Sequence, residues 1–223
     1  MGAIRTENNL MQRVYHDPED SLFGVRLDLQ NSSLLDFWMW ASRDLCDDDL
    51  KGIFAEWIVL KLLNIPGTQR CSWANNDLVT PSGVTIEVKA SAHWQSWKLL
   101  DGQAVLRQAP LRPMTRAEKV IFGGLQARDA TGIDPKSART HKSQLYVFAF
   151  EHERDTLRWN AMDLTQWEFF ILPASKLSGR SIKLSELRRN FKRLSADEFP
   201  DEAASLIAAL ETTVQQWIGL SSS

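Results

Sequence analysis

The chain has 223 residues, of which 24% are charged and 43% hydrophobic, with 26 basic side chains against 28 acidic ones. This is ordinary globular composition, enough for one domain with a proper core, and it excludes collagen-like, disulfide-scaffold and wholly disordered chains. A formal net charge of −2 announces no general polyanion binder, but it leaves room for local basic patches.

Residues 1–31 are polar and turn-rich, with His16-Asp17-Pro18 as a breaker, and read as an extended lead-in. MGAIRTENNLMQR has no apolar core, so no secretory leader is expected. A single domain is expected over 32–219, with 220–223 as a tail. SLLDFWMWASRDL (33–45) predicts a helix with Ser32 or Ser33 at its N-cap. Asp47 to Asp49 open a second helix, where carboxylates suit the positive end of the helix dipole. That helix runs to about Leu63 and stops at Asn64-Ile65-Pro66-Gly67. Its apolar run from Trp57 is broken by Lys61 and is far too short to span a bilayer.

Strand chemistry follows in CSWANNDLVT (71–80), the turn Pro81-Ser82-Gly83 and VTIEVKAS (84–91). Trp94 to Leu100 reads as a short helix. Residues 107–142 are rich in Pro, Gly and polar residues and read as an irregular excursion, with eight basic residues against three acidic. SQLYVFAFEH (143–152) and WEFFILPAS (167–175) predict two more strands. KLSELRRNFKRL (183–194) predicts a basic helix inside a second basic stretch, 176–193. The segment 201–219 predicts a last helix with Ile207, Leu210, Val214 and Ile218 on one stripe. The tryptophans, among them Trp38, Trp40, Trp57, Trp167 and Trp217, are expected mostly in the core. Cys46 and Cys71 have no CxxC spacing, so they fit a reducing compartment and the cytoplasm is expected.

The chemistry concentrates in NNDLVTPSGVTIEVKAS. With Ser82 at the centre of the turn, Leu78 faces Ile86 and Asp77 faces Glu87. Strand side chains alternate between faces. Val84, Ile86 and Val88 therefore share an apolar face, while Thr85, Glu87 and Lys89 share the other with Asp77 and Val79. Two carboxylates facing each other across a strand pair are destabilising unless something neutralises them. A divalent cation does so. Asp77, Glu87 and a backbone carbonyl such as that of Val88 make a hard oxygen site suited to Mg²⁺, with Mn²⁺ as substitute. Lys89 would then orient a water or balance charge on a phosphate. Glu56 lies on a largely apolar helix face, with Gly52 one turn back, and could point at the same cation if that helix packs on the hairpin.

A helical Glu, then an Asp on one strand and Glu-x-Lys on the next, resembles the PD-(D/E)XK nuclease superfamily. That superfamily includes restriction endonucleases, phage exonucleases and Holliday-junction resolvases. The resemblance implies Asp77 and Glu87 as the two acids, Lys89 as the lysine and Glu56 as the helix acid. Asn76, not Pro, precedes Asp77. Gln95 corresponds to a glutamine of the exonuclease branch, at a shorter spacing and without a tyrosine partner. The implied fold is α/β and restriction-endonuclease-like, a mixed central sheet of about five strands flanked by helices. The implied activity is Mg²⁺-dependent hydrolysis of DNA phosphodiester bonds, as an endonuclease of a restriction, defence or DNA-processing system.

Ser91, Gln95, Arg112, Arg116, Lys142, Arg188 and Arg189 are the candidate DNA contacts, since basic stretches beside a phosphodiesterase site gain weight as phosphate contacts. His93 and His141 are more readily packing residues than proton donors. No P-loop supports a nucleotide cofactor, and Asp134-Pro135-Lys136 is a decoy with no strand around it. The expected partners are DNA and either a second copy of the chain or a larger nuclease complex. The rival readings are a non-catalytic nucleic-acid-binding subunit with the same fold, and an unrelated domain whose hairpin face carries only solvated charges.

Overall fold

The computed structural model describes residues 17–21, 32–42, 44–66, 70, 74, 76–94, 120–128, 138–155 and 157–220. The chain divides into two compact units, Met1–Asp44 and Leu45–Ser223.

In the first unit, α1 (Leu34–Ala41) starts at Ser33. The Asp36 amide donates to Ser33 Oγ and the Ser33 amide donates to the Asp36 carboxylate at 2.8 Å, a reciprocal capping box. The Ser33 amide and then the Ser33 hydroxyl, both donating to the Asp36 carboxylate, lower its pKa from the ordinary value. The helix ends at Ala41, short of the expected Leu45, and buries none of its residues. Trp38 and Trp40, expected in a core, are exposed. Leu35, Phe37 and Met39 of the same helix are exposed with them.

The second unit opens with α2 (Asp48–Leu62), whose cap Asp47 accepts from the amides of Asp49 and Leu50. It ends where Asn64 takes a left-handed backbone (φ 48°), which Asn tolerates. The strands are β1 (Leu78–Val79), β2 (Thr85–Ala92), β3 (Ile121–Phe122), β4 (Leu145–Glu151), β5 (Trp167–Pro173) and β6 (Ile182–Lys183), followed by α3 (Leu184–Asn190) and α4 (Phe199–Leu220). The main sheet has the order β1-β2-β4-β5, with β2 and β4 parallel and the other pairs antiparallel. The unit is therefore mixed α/β, as expected. Among the described residues the main sheet has four strands, not about five, because β3 and β6 pair separately.

β4 is buried along its whole length, as suits an interior strand covered on both faces. One sheet face, with Ile86, Val88, Val147 and Phe169, packs with Ala55, Ile58 and Val59 of α2 and Phe199 of α4. The other, with Tyr146, Phe148, Phe150 and Phe170, packs with Phe122, Leu125, Ile182, Leu184 and Leu187. The excursion 107–142 is thus not wholly irregular, since Val120, Phe122 and Leu125 anchor part of it in this second core. The basic helix expected to reach Leu194 stops at Asn190. Phe191 turns extended, and Leu194 exchanges backbone bonds with Phe169 at 2.9 Å. Among the described residues of the expected strand 71–80, Leu78 and Val79 are strand, and the predicted helix from Trp94 falls on 95–100, outside the described residues. Among the described residues no helix is long and apolar enough to cross a membrane.

Candidate active site

The hairpin register is the one expected: Leu78 pairs with Ile86 and Val79 with Thr85. The turn closes through a bond from the Gly83 amide to Thr80 O, with Gly83 at φ 88°, a backbone that favours glycine. Asp77 precedes β1, and its amide donates to Ile86 O at 3.1 Å. Its carboxylate accepts from the Val88 amide at 2.8 Å. β1 is a two-residue strand, so the Asp77 side chain satisfies a β2 amide that the short strand leaves uncovered. This holds Asp77 one step along from the Leu78–Ile86 pair, at the register position opposite Glu87.

Glu87 and Lys89 lie two residues apart on β2, with Lys89 Nζ 2.6 Å from Glu87 Oε1. In the parallel register Glu87 is level with Tyr146 and Lys89 with Phe148. The Tyr146 hydroxyl donates to Leu125 O at 2.9 Å and accepts from the Lys142 amide at 3.1 Å. Burial raises its pKa above the ordinary value. Gly124, at φ 69°, brings the neighbouring loop over Lys89: a Cβ there would lie 3.9 Å from the ammonium.

Glu56 reaches this corner by another route. α2 packs on the Ile86/Val88 face, opposite to Glu87 and Lys89, so Glu56 comes in at the β1 edge. Arg70 forks onto it, with Nε 2.6 Å from Oε2 and Nη2 3.0 Å from Oε1. This bidentate geometry is the stronger form of the ion pair. The bond to Glu56 raises the Arg70 pKa, and the charge on Asp77 adds to the effect. Asp77 itself is pushed up to about 6, first by burial and then by the charges on Glu87 and Glu56, while the Val88 amide and Lys89 oppose the rise. Three acids, Lys89 and Arg70 thus form one electrostatic cluster.

The Mg²⁺ expected from the sequence can be tested against this donor set. Asp77 and Glu87 supply hard oxygen ligands, and a carboxyl raised toward neutrality by its acidic neighbours is one that a divalent cation would re-ionise. In donor chemistry the pair fits. Glu87 is paired with Lys89 and Glu56 with Arg70, and among the described residues no group of three or more His, Cys, Asp or Glu is gathered for a metal. The Val88 amide, rather than its carbonyl, touches Asp77.

The remaining candidates separate. Ser91 lies on β2, level with Phe150. Lys142 borders the site through its amide bond to Tyr146. Arg188 is committed to Glu168 (2.7 Å) and stacks over Phe150, so it braces the fold; Arg189 lies exposed on α3. Gln95, Arg112 and Arg116 fall outside the described residues. His93 is buried with its ring edge on Phe150, its Nε2 accepting from Arg154 Nε at 3.1 Å. His141 lies against Tyr146, with Nε2 3.3 Å from Gly179 O. Sequence reasoning missed Arg70, Tyr146, Gly124 and the bond from Ser143 Oγ to Asn76 Oδ1 (2.8 Å), which ties the residue before Asp77 to the start of β4. Local spacing carries no signal for these, because each is brought in by a non-local pairing.

No family model, curated protein or solved structure matches this chain.

Proposed function

We propose that the chain is a metal-dependent nuclease that hydrolyses DNA phosphodiester bonds. The observation that carries this reading is the opposition of Asp77 and Glu87 across β1–β2, with Lys89 on Glu87 and Glu56 drawn to the same corner. A carboxylate pair is costly to keep on a strand pair unless it has work to do. Asp77 and Glu87 would hold Mg²⁺ or Mn²⁺, which supplies Lewis-acid polarisation of the phosphate and activation of water. Lys89 orients the attacking water and balances charge as the phosphorus–oxygen bond to the leaving group breaks. Arg70 and Lys142 would contact the DNA backbone.

The order of elements supports a restriction-endonuclease-like fold: an acid-bearing helix, an antiparallel hairpin with the acids and lysine, then a strand parallel to the second arm. The role fits a cytoplasmic DNA-processing or defence endonuclease, acting as a homodimer or within a larger complex. A second reading, a non-catalytic DNA-binding subunit, is favoured by one feature: Glu56 and Glu87 each already have a basic partner. The two separate by incubating supercoiled plasmid and linear single- and double-stranded DNA with Mg²⁺, Mn²⁺ or EDTA. The nuclease reading expects metal-dependent products. Salt-sensitive binding without product would leave the second reading, and neither binding nor product would remove both.

A further inference from the structure

Beside the acids, at the β1 edge, lies a cavity of about 340 Å³. Glu56, Arg70 and Asp77 form its polar wall, and Ile53, Trp57 and Val79 are among its apolar lining. Ile53, Trp57 and Val79 are 39%, 49% and 50% exposed, so the apolar side is open to a ligand. The Trp57 indole is steadied by stacking on Phe54 at 5.8 Å, and the Lys61 ammonium lies 5.7 Å from its ring centroid. Hydrolysis of a phosphodiester needs none of this apolar surface. A ligand that presents a phosphate to the acids and a flat apolar face alongside would use all of it. The volume sits at the low end of ligand cavities, roughly 300–1,000 Å³, which suits one nucleobase and not several.

We propose that this cavity takes a single unpaired nucleobase, so that the adjoining phosphodiester lies at Asp77, the residue the cavity shares with the Asp77–Glu87 pair. The substrate class is therefore DNA with an unpaired nucleotide, in a single strand or at a frayed or branched end. A base kept in a duplex has no free face to offer Trp57. Lys61 supplies positive charge beside the Trp57 ring, and Glu56, Arg70 and Asn76 line the polar side. This inference rests on the nuclease reading and deepens it.

The test measures binding in EDTA, where no turnover occurs. A fluorescein-labelled short single strand and its duplex are titrated with wild type, Trp57→Ala and Trp57→Phe. Base–aromatic stacking predicts on the order of tenfold weaker single-strand binding for Trp57→Ala, little change for the duplex, and recovery in Trp57→Phe. An abasic residue moved along the single strand should weaken binding to the wild type at one position and add nothing on top of Trp57→Ala. A flat abasic scan, or equal losses for single strand and duplex, overturns the inference. If the wild type still cuts DNA with metal, such a result removes the base cavity alone. If it neither binds nor cuts any DNA, the nuclease reading falls with it.

Discussion

Asp77 sits in a strained electrostatic position, and replacing it with Asn should stabilise the fold. The native carboxyl is raised from an ordinary 3.8 to about 6. Below pH 3.8 it is protonated in folded and unfolded chains alike, and contributes nothing. Between 3.8 and about 6 the folded chain holds the proton more tightly, so stability falls as pH rises through this window. Above it the ionised form bears the whole penalty, about 3 kcal/mol from the shift alone and about 1–2 kcal/mol after screening at a partly exposed site. Asn keeps an oxygen to accept from the Val88 amide and carries no charge. Asp77→Asn should therefore be more stable than the wild type by about 1–2 kcal/mol near pH 7.5, and the difference should vanish toward pH 3.5. Urea unfolding of both proteins at the two pH values, in EDTA, reads this directly. An Asn variant less stable than the wild type near pH 7.5, or a gain independent of pH, would show that the ionised Asp77 carboxylate carries no such penalty.

Arg70→Ala removes a partly exposed ion pair, so it should cost less than about 1 kcal/mol in urea unfolding. By uncovering Glu56 it should also tighten Mn²⁺ binding measured by calorimetry. Tyr146→Phe removes one bond to Leu125 O and one from the Lys142 amide. The loss should be about 1–3 kcal/mol, because a buried acceptor is left without its donor, and thermal unfolding would record it.

Much of the second unit is legible locally. Asp47 announces α2 by its position before an apolar run, and the 15-residue helix follows. Pro81-Ser82-Gly83 sets the hairpin register, and the register alone puts Asp77 opposite Glu87. β4 and β5 read as continuous apolar runs because both their faces are covered. What stays hidden depends on partners far along the chain. Ile121 and Phe122 look like part of a loop until Ile182 and Lys183 pair with them. Arg188 looks like a phosphate ligand until the buried Glu168 on β5 claims it. The Glu56 carboxylate comes to the β1 edge beside Asp77, where Arg70 holds it, while α2 covers the other sheet face. Helix periodicity can place Glu56 on an apolar face, but it cannot say which side of the sheet that face meets.

The most direct test of the account is single-turnover cleavage of a DNA substrate by wild type and Lys89→Ala, with DNA affinity measured on the same samples. Lys89 is partly exposed, so its loss should leave the fold intact. The wild type should cleave in a metal-dependent way, and Lys89→Ala should lose at least about a hundredfold in rate at nearly unchanged affinity. Cleavage by Lys89→Ala at the wild-type rate would contradict it.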